Sequence, residues 1–321
     1  MNTPGTIDQE LEDELTTRKP IKLKQGTYLD TPDKYYREWP AINYSTLADF
    51  NESQDHALMK KEAKSYFEEG TAFELLIEDQ AKGSDKFGER FFLSTAPGAM
   101  PEDLAGWINR DEPLDDKYRL TKTGERNKQS DRLHAWLDSC RDNPGKMPVG
   151  IDQKEMLDKM VVNFMAMQPF SDGGNPVTMA EILPAADFQV PIVWYSGRQR
   201  KKALIDMYLE TDLRIYAFDT KTAADMKRFS WMLKDKYWIQ EVHYTDGLQA
   251  IFPDKEIVWR FVVASKAEPY LSQPYRVDPY SLSSGGVSAY HELCERYQAW
   301  INEGKPPKGW KELEKVRIFF E

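Results

Sequence analysis

The chain is most constrained by residues 200–222, RKKALIDMYLETDLRIYAFDTKT, which have the pattern of two β-strands joined by a turn. In residues 202–210 the apolar positions alternate, and Thr211 and Asp212 have the chemistry of a turn. Residues 214–221 form the second predicted strand. Strict alternation places on one face of the first strand Ala203, Ile205, Met207 and Leu209, and on the other Leu204, Asp206, Tyr208 and Glu210.

Three charged residues interrupt this hairpin. Asp219 and Lys221 end an apolar face of the second strand, beside a first strand that carries Asp206. Strand interiors disfavour Asp and Lys, and neighbouring carboxylates repel each other unless a cation lies between them. Oxygen ligands suit Mg²⁺ or Mn²⁺, so the pattern indicates a metal site. The alternative is a surface hairpin with a solvated ion pair, because D-x-K is a common spacing.

A further carboxylate lies in residues 71–77, TAFELLI, where a helix is predicted. This helix has almost no polar face, and Glu74 is its lone charge. A buried carboxylate without a partner is costly, so Glu74 requires a metal ion or an Arg or Lys from elsewhere. The two explanations are equally open on this pattern.

These segments occur in the order found in the PD-(D/E)XK nuclease superfamily. The chain most resembles the RecE-type (exonuclease VIII) branch, akin to the RecB nuclease domain. The matching segments are INYSTL (Ile42–Leu47), GTAFELLIED (Gly70–Asp79), ALIDMYLE (Ala203–Glu210), FDTKT (Phe218–Thr222) and Gln240 with Tyr244. The resemblance implies an α/β (α+β) fold with a restriction-endonuclease-like core, a mixed central β-sheet flanked by helices. The RecE-like pattern usually has a histidine where Glu74 stands.

The resemblance also implies roles for individual residues. It implies metal ligands at Glu74, Asp206, Asp219 and the Thr220 carbonyl, with Mg²⁺ or Mn²⁺ as the ion. Lys221 would position or activate the attacking water. Glu181 stands where related sequences often carry a glutamate, although a charge at the edge of a strand explains it equally well.

Contacts with DNA are expected from two other groups of residues. Gln240 and Tyr244 resemble the Q-x-x-x-Y element, which would place the DNA strand or order the site. The densest basic cluster precedes Asp206 and contains Arg198, Arg200 and Lys201 together with Lys202. This cluster is interpreted as a set of phosphate contacts, with a solvated hairpin tip as the alternative.

By resemblance, the protein is expected to be a Mg²⁺- or Mn²⁺-dependent deoxyribonuclease. It would be a processive exonuclease that converts double-stranded DNA ends to 3′ single strands for phage-type recombination or repair. The expected partners are DNA and a single-strand annealing or recombination protein, and a ring-shaped homo-oligomer is implied by analogy. The alternatives are an endonuclease on the same fold, an inactive DNA- or protein-binding module on a nuclease scaffold, and a structural protein with a buried ion network.

Composition limits the partners and the compartment. The net charge of −10 counts against general nucleic-acid binding, so any contacts with DNA must be local and sensitive to salt. No run of about 18 apolar residues is present, so no membrane span is expected. Two cysteines and an N-terminus without the pattern of a secretory signal favour the cytoplasm. The resemblance to RecE-type nucleases implies that the cell is bacterial or phage-infected.

The remaining predictions concern the organisation of the chain. Residues 1–38 are expected to form an acidic, flexible arm, and residues 39–321 one nuclease domain. Ser45 is predicted to cap the helix that follows it. A strand pair is predicted over residues 179–195, and one helix over residues 225–248.

Overall fold

The computed structural model describes residues 24–29, 36, 39–59, 65–96, 100–101, 104, 128–172, 175–233, 237–276 and 286–305. The strands in these residues are β1 (Gly26–Thr27), β2 (Phe91–Ser94), β3 (Met147–Gly150), β4 (Phe170–Asp172), β5 (Asn175–Val177), β6 (Asp187–Ser196), β7 (Gln199–Glu210), β8 (Arg214–Ala223), β9 (Glu256–Ser265) and β10 (Ser272–Tyr275). The helices are α1 (Tyr44–Glu52), α2 (Gln54–Leu58), α3 (Ser65–Lys82), α4 (Lys86–Arg90), α5 (Lys128–Arg141), α6 (Ile151–Ala166), α7 (Met179–Ile182), α8 (Met226–Met232), α9 (Trp238–Ile251) and α10 (Gly286–Asn302).

The centre of the fold is a six-stranded sheet in the order β1-β6-β7-β8-β9-β10. All neighbouring strands are antiparallel except β8 and β9, which run parallel because α8 and α9 form the crossover between them. The predicted hairpin is confirmed as β7 and β8. The prediction of a mixed central sheet flanked by helices is confirmed as well.

Helices cover both faces of this sheet. On one face, α3 and α6 pack against each other through Phe73 and Phe164, in a core that also contains Met207 and Phe218. On the other face, α9 packs on β6, β7 and β9. Helices α1 and α10 lie against the outer side of α9 and build a third apolar cluster around Trp300. The two cores leave β8 buried on both sides, as its apolar sequence requires.

The alternation along β7 changes face at Asp206, contrary to the prediction. Ala203 and Ile205 contribute to the core beneath α9, whereas Met207 and Leu209 contact the core beneath α3. A local break in β6 accompanies this change. Gln189, in register with Asp206, has a left-handed backbone with φ of 52°, and no ladder pairing joins these two residues. The regular β6–β7 ladder is therefore interrupted at Gln189 and Asp206, and it continues on both sides of them.

The helix predicted over residues 225–248 is confirmed over α8 and α9, and residues 234–236 between them lie outside the described residues. Two other sequence predictions were wrong in detail. The strand pair predicted over residues 179–195 is α7, a 3₁₀ turn and then β6. Asn43 rather than Ser45 caps α1, because its Oδ1 atom accepts the Thr46 amide at 2.9 Å.

Two further predictions can be compared only in part. Within the predicted N-terminal arm, Gly26–Thr27 pairs with β6, while residues 1–23 lie outside the described residues, so the domain boundary stays a prediction. Among the described residues, no helix combines the length and the apolarity needed to cross a membrane.

A buried polar network connects β7 to α9 and α10. His243 on α9 is fully buried, with Nδ1 2.7 Å from the Tyr290 hydroxyl and Nε2 3.0 Å from the carbonyl oxygen of Lys202. Burial lowers the pKa of His243 to about 3, and the positive charge of Lys201 acts in the same direction. The imidazole is therefore neutral in the folded protein at neutral pH.

This network predicts a loss of stability in mild acid. The unfolded pKa of His243 is about 6.5 and the folded pKa is lower, so its contribution is complete above pH 6.5 and is lost as the pH falls toward 3. For this group alone the free energy of unfolding should fall by about 1.4 kcal/mol between pH 7.5 and pH 5.5. Urea denaturation at both pH values measures this fall in the free energy of unfolding, with His243→Gln as the control. An equal pH dependence in both proteins would contradict the prediction.

Candidate active site

The candidate site lies where β7 and β8 separate. Their ladder ends at the pair Met207–Phe218, and the next positions in the same register are Asp206 and Asp219. The Thr220 amide donates to Asp206 Oδ2 at 2.7 Å in place of a backbone ladder bond. Beyond this point β8 continues alongside β9, while β7 receives a backbone bridge from Ile42. The separation exposes two carboxylates to each other inside the sheet.

Asp219 is held by two donors and is 2% exposed. Lys221 Nζ donates to its Oδ2, and Gln240 Nε2 on α9 donates to its Oδ1. Burial raises the pKa of Asp219, and the positive charge of Lys221 opposes this rise. The two-residue period of β8 therefore brings a carboxylate and an ammonium together, as predicted.

Glu74 and Asp206 lie on the other side of the opening and share one donor. Gln189 Nε2 donates to Glu74 Oε2 at 3.4 Å, and the same side chain hydrogen-bonds to Asp206. Burial raises the pKa of Asp206 to about 7, with repulsion from Asp219 as the next cause. Burial also raises the pKa of Glu74 well above its ordinary value, and Asp206 adds to the rise. The repulsion that Asp206 and Asp219 exert on Glu74 places it near both aspartates, and its role as a metal ligand stays a prediction.

Glu74, Asp206 and Asp219, here called the acidic group, lie near the ammonium of Lys221. Its Nζ lies 5.6 Å from the centre of the Tyr237 ring, a distance typical of a cation–π contact. Burial would lower the pKa of Lys221, but Asp219, Tyr44 and Asp206 together raise it above its ordinary value. The ammonium therefore stays protonated here. It can donate hydrogen bonds and stabilise negative charge, but it is not placed to accept a proton.

Two residues of the site were missed in the sequence. Gln189 lies in an ordinary strand pattern, and no sequence signal marks either its positive φ or its contact with two carboxylates. Tyr44 begins α1 within the INYSTL segment and interacts electrostatically with Lys221 and Asp219. Its ring also packs edge-on against Tyr244, with centroids 6.0 Å apart. The segment was recognised, but its tyrosine was not assigned a role.

The oxygen atoms of the site are of the type that a divalent cation binds. Glu74, Asp206 and Asp219 supply carboxylate oxygens, and the repulsion among them is relieved by positive charge. Gln240 Oε1, buried beside Asp219, has no hydrogen-bond partner among the described residues. No three acidic, His or Cys side chains in the described ranges are placed to hold one metal ion together. The set fits Mg²⁺ or Mn²⁺ in chemistry, because each oxygen of Asp219 keeps a lone pair besides the one that accepts a hydrogen bond, but the three carboxylates would have to move closer to a common ion.

The predicted DNA contacts divide into buried and exposed residues. Gln240 is 1% exposed and Tyr244 is buried against Trp259, so Gln240 orders Asp219 and Tyr244 belongs to the core. Lys201 is fully buried, with Nζ 3.4 Å from Asp246 and over the Tyr290 ring at 4.6 Å. This burial removes Lys201 from any surface that a phosphate could reach, so its prediction as a phosphate contact was wrong.

Arg198 and Arg200 lie at the turn between β6 and β7, where Arg198 is exposed. Arg200 donates to the Tyr195 hydroxyl at 3.1 Å. Asp206 lies six positions after Arg200, which is about 20 Å along an extended strand. The structure therefore does not bring these arginines to the acidic group, and their contact with DNA stays a prediction.

Glu181 has a local role instead. Its carboxylate accepts the Thr178 amide and the Thr178 hydroxyl, both at 2.7 Å, at the start of α7. The backbone bond lowers the pKa of Glu181, which is fully exposed. Its position as a helix cap separates it from the acidic group.

Comparisons with known proteins give similarities to solved structures but no match to a family model or to a curated protein. Eight chains of solved structures match. One is a crystal structure from Eubacterium rectale with the name "Putative exonuclease", which has a TM-score of 0.45 and 12% identity over 91% of this chain and 96% of that one. A similarity at this TM-score establishes neither a family nor a shared activity.

The backbone of Gln189 gives a prediction about strain at the site. An L-residue with φ of 52° is strained, whereas glycine adopts this conformation freely. Gln189→Gly should therefore be more stable than Gln189→Ala by about 1 kcal/mol in urea denaturation.

The matched control is the same pair of substitutions at Gln199, which lies in β7 and has no positive φ. There the order should reverse, because glycine in an ordinary strand costs roughly 0.5–1 kcal/mol relative to alanine. The same order at both positions would show that the strain at Gln189 has no energetic consequence.

Proposed function

We propose that this chain is a nuclease that hydrolyses DNA phosphodiester bonds with Mg²⁺ or Mn²⁺. The observation that carries the proposal is the mutual repulsion of Glu74, Asp206 and Asp219, beside the ammonium of Lys221, where β7 and β8 separate. Three carboxylates with raised pKa values and one protonated lysine cost folding stability when they are buried together, so a purely structural role does not explain them. Such a group is suited to a substrate that brings both a metal ion and a phosphate.

Each residue has a defined task in this proposal. Glu74, Asp206 and Asp219 would hold the ion, with the Thr220 carbonyl near Lys221 as a further ligand. The ion would supply Lewis-acid stabilisation of charge on the phosphate. Lys221 would donate its protons to a water or phosphate oxygen and offset negative charge as it grows, since its own pKa is raised.

Gln189 and Gln240 would position the carboxylates. Gln189 joins Glu74 to Asp206, and Gln240 fixes one oxygen of Asp219. The side-chain amides of Gln189 and Gln240 carry no charge, so they orient the carboxylates without neutralising them. Such preorganisation limits the reorganisation needed when a substrate binds.

The finer proposal is an exonuclease that acts on double-stranded DNA ends and leaves 3′ single strands. Its support is the order of the RecE-like segments along the chain. The same resemblance supports a single-strand annealing or recombination protein as partner and a ring-shaped oligomer as the assembly.

A second candidate is a DNA-binding module without hydrolytic activity on the same scaffold. It is favoured by one observation, namely that the ammonium of Lys221 and the amide of Gln240 already donate to the two oxygens of Asp219. The positive charge of Lys221 reduces the need of this carboxylate for a metal ion. Metal binding therefore separates the two candidates.

The roles of Lys221 and Asp219 predict different defects. Lys221→Ala should abolish detectable cleavage, a loss of at least about 100-fold, while Mn²⁺ affinity is retained, because its charge acts on the reacting phosphate. Asp219→Ala should lower Mn²⁺ affinity at least about tenfold in calorimetry. Normal cleavage by Lys221→Ala would refute the assigned role, and unchanged affinity in Asp219→Ala would remove that residue from the ligands.

The reaction itself is tested on linear double-stranded DNA labelled at either end, with Mg²⁺, with Mn²⁺ and with EDTA. Metal-dependent loss of label from one end, with a covalently closed circle left intact, is the expected result. Cutting of the circle would make the protein an endonuclease. Absence of cleavage with both metals would favour the binding module.

A further inference from the structure

Helix α8 presents an outer face that no part of the proposed chemistry uses. Lys227, Arg228 and Trp231 share this face, because residues three and four apart are neighbours on a helix. Trp231 is 79% exposed, and the two cations are exposed beside it. Across the described ranges, neither cation has an ion-pair partner. We call these three residues the α8 face.

The exposure of this indole is unusual for its helix. Phe229, on the opposite side of α8, is buried and anchors the helix to the core beneath α9. Trp231 could have been replaced by a polar residue without loss of packing, since its ring is in solvent. A large exposed aromatic ring beside two exposed cations is the combination that binds single-stranded nucleic acid, by stacking and by phosphate contacts.

The α8 face is linked to the candidate active site through aromatic contacts. Lys221 Nζ lies over the Tyr237 ring, and this ring stacks on Phe229 with centroids 5.4 Å apart. Phe229 belongs to the inner side of the same helix. Chain geometry also keeps Trp231 within about 25 Å of Lys221, since five extended residues span at most about 17 Å and each helical residue adds about 1.5 Å.

We propose that the α8 face binds a single strand of DNA next to the site, with a base stacked on Trp231 and phosphates on Lys227 and Arg228. The proposal rests on the proposed nuclease function for the identity of the strand. Charge supports it as well, because a chain with a net charge of −10 must bind phosphates through local basic groups. A duplex fits less well, since its bases are already stacked and leave no free face for the indole.

The test measures DNA binding apart from cleavage. The full chain is titrated in EDTA against a fluorescein-labelled 20-nucleotide oligothymidylate and against a 20-base-pair blunt duplex. Trp231→Ala should weaken single-strand binding about tenfold and leave duplex binding within about twofold. Trp231→Phe should retain most of the affinity, because a phenyl ring still stacks.

Two further variants complete the design. Lys227→Gln with Arg228→Gln should reduce the slope of log affinity against log salt by about 1.4 for the single strand, from two phosphate contacts. Leu213→Ala is the matched control for an exposed apolar residue, since Leu213 is 77% exposed at the distant turn between β7 and β8. The affinity of Leu213→Ala for the single strand should equal that of the wild type.

The outcomes separate this proposal from the nuclease proposal. Unchanged single-strand affinity in Trp231→Ala, or an equal loss in Leu213→Ala, overturns the α8 face even if the wild type cleaves DNA. An equal loss on the duplex overturns the stacking assignment. If Trp231→Ala loses single-strand binding while the wild type shows no metal-dependent cleavage, the α8 face stands and the nuclease proposal fails.

Discussion

The hydrogen bond from the Thr220 amide to Asp206 is the interaction on which the site depends. It replaces the backbone pairing that would otherwise continue the β7–β8 ladder, so the strands separate without leaving the amide unsatisfied. The opening admits Glu74 from the α3 side and Gln240 from the α9 side. The ammonium of Lys221 then faces three carboxylates. Burial raises the pKa values of Asp206 and Glu74, repulsion from neighbouring carboxylates adds to the rise, and the positive charge of Lys221 opposes it.

The acidic group was predictable because its signals are local. A charge in an alternating strand and a lone glutamate in an apolar helix each violate a short-range pattern, which is how Asp206, Asp219 and Glu74 were found. The change of face at Asp206 was not predictable. It depends on the positive φ of Gln189, and a glutamine between Phe188 and Val190 has no turn chemistry. Phe188 and Val190, on either side of Gln189, pack into the two different cores, and no local pattern encodes that tertiary arrangement.

For the basic residues, the sequence predicted exposure where the structure shows burial. A run of Arg and Lys at a turn predicts a solvated surface, yet Lys201 and Lys202 are both buried. Lys202 Nζ donates to the carbonyl oxygens of Tyr36 and Trp39 at 2.7 and 2.9 Å, and Lys201 pairs with Asp246. The partners that make this burial tolerable are 45 to 166 residues away in sequence. No window along the chain could have shown them.

The bridge formed by His243 has a consequence for how the chain can be divided. One imidazole nitrogen contacts the Lys202 carbonyl in the strand that carries Asp206, and the other contacts Tyr290 in the last described helix. A fragment ending before α10 would leave that nitrogen buried without its partner and would uncover α9. The half of the sheet that carries Asp206 is therefore not a separable module. The smallest piece able to hold Asp206 in place extends through Trp300, far beyond the last residue of the site in sequence.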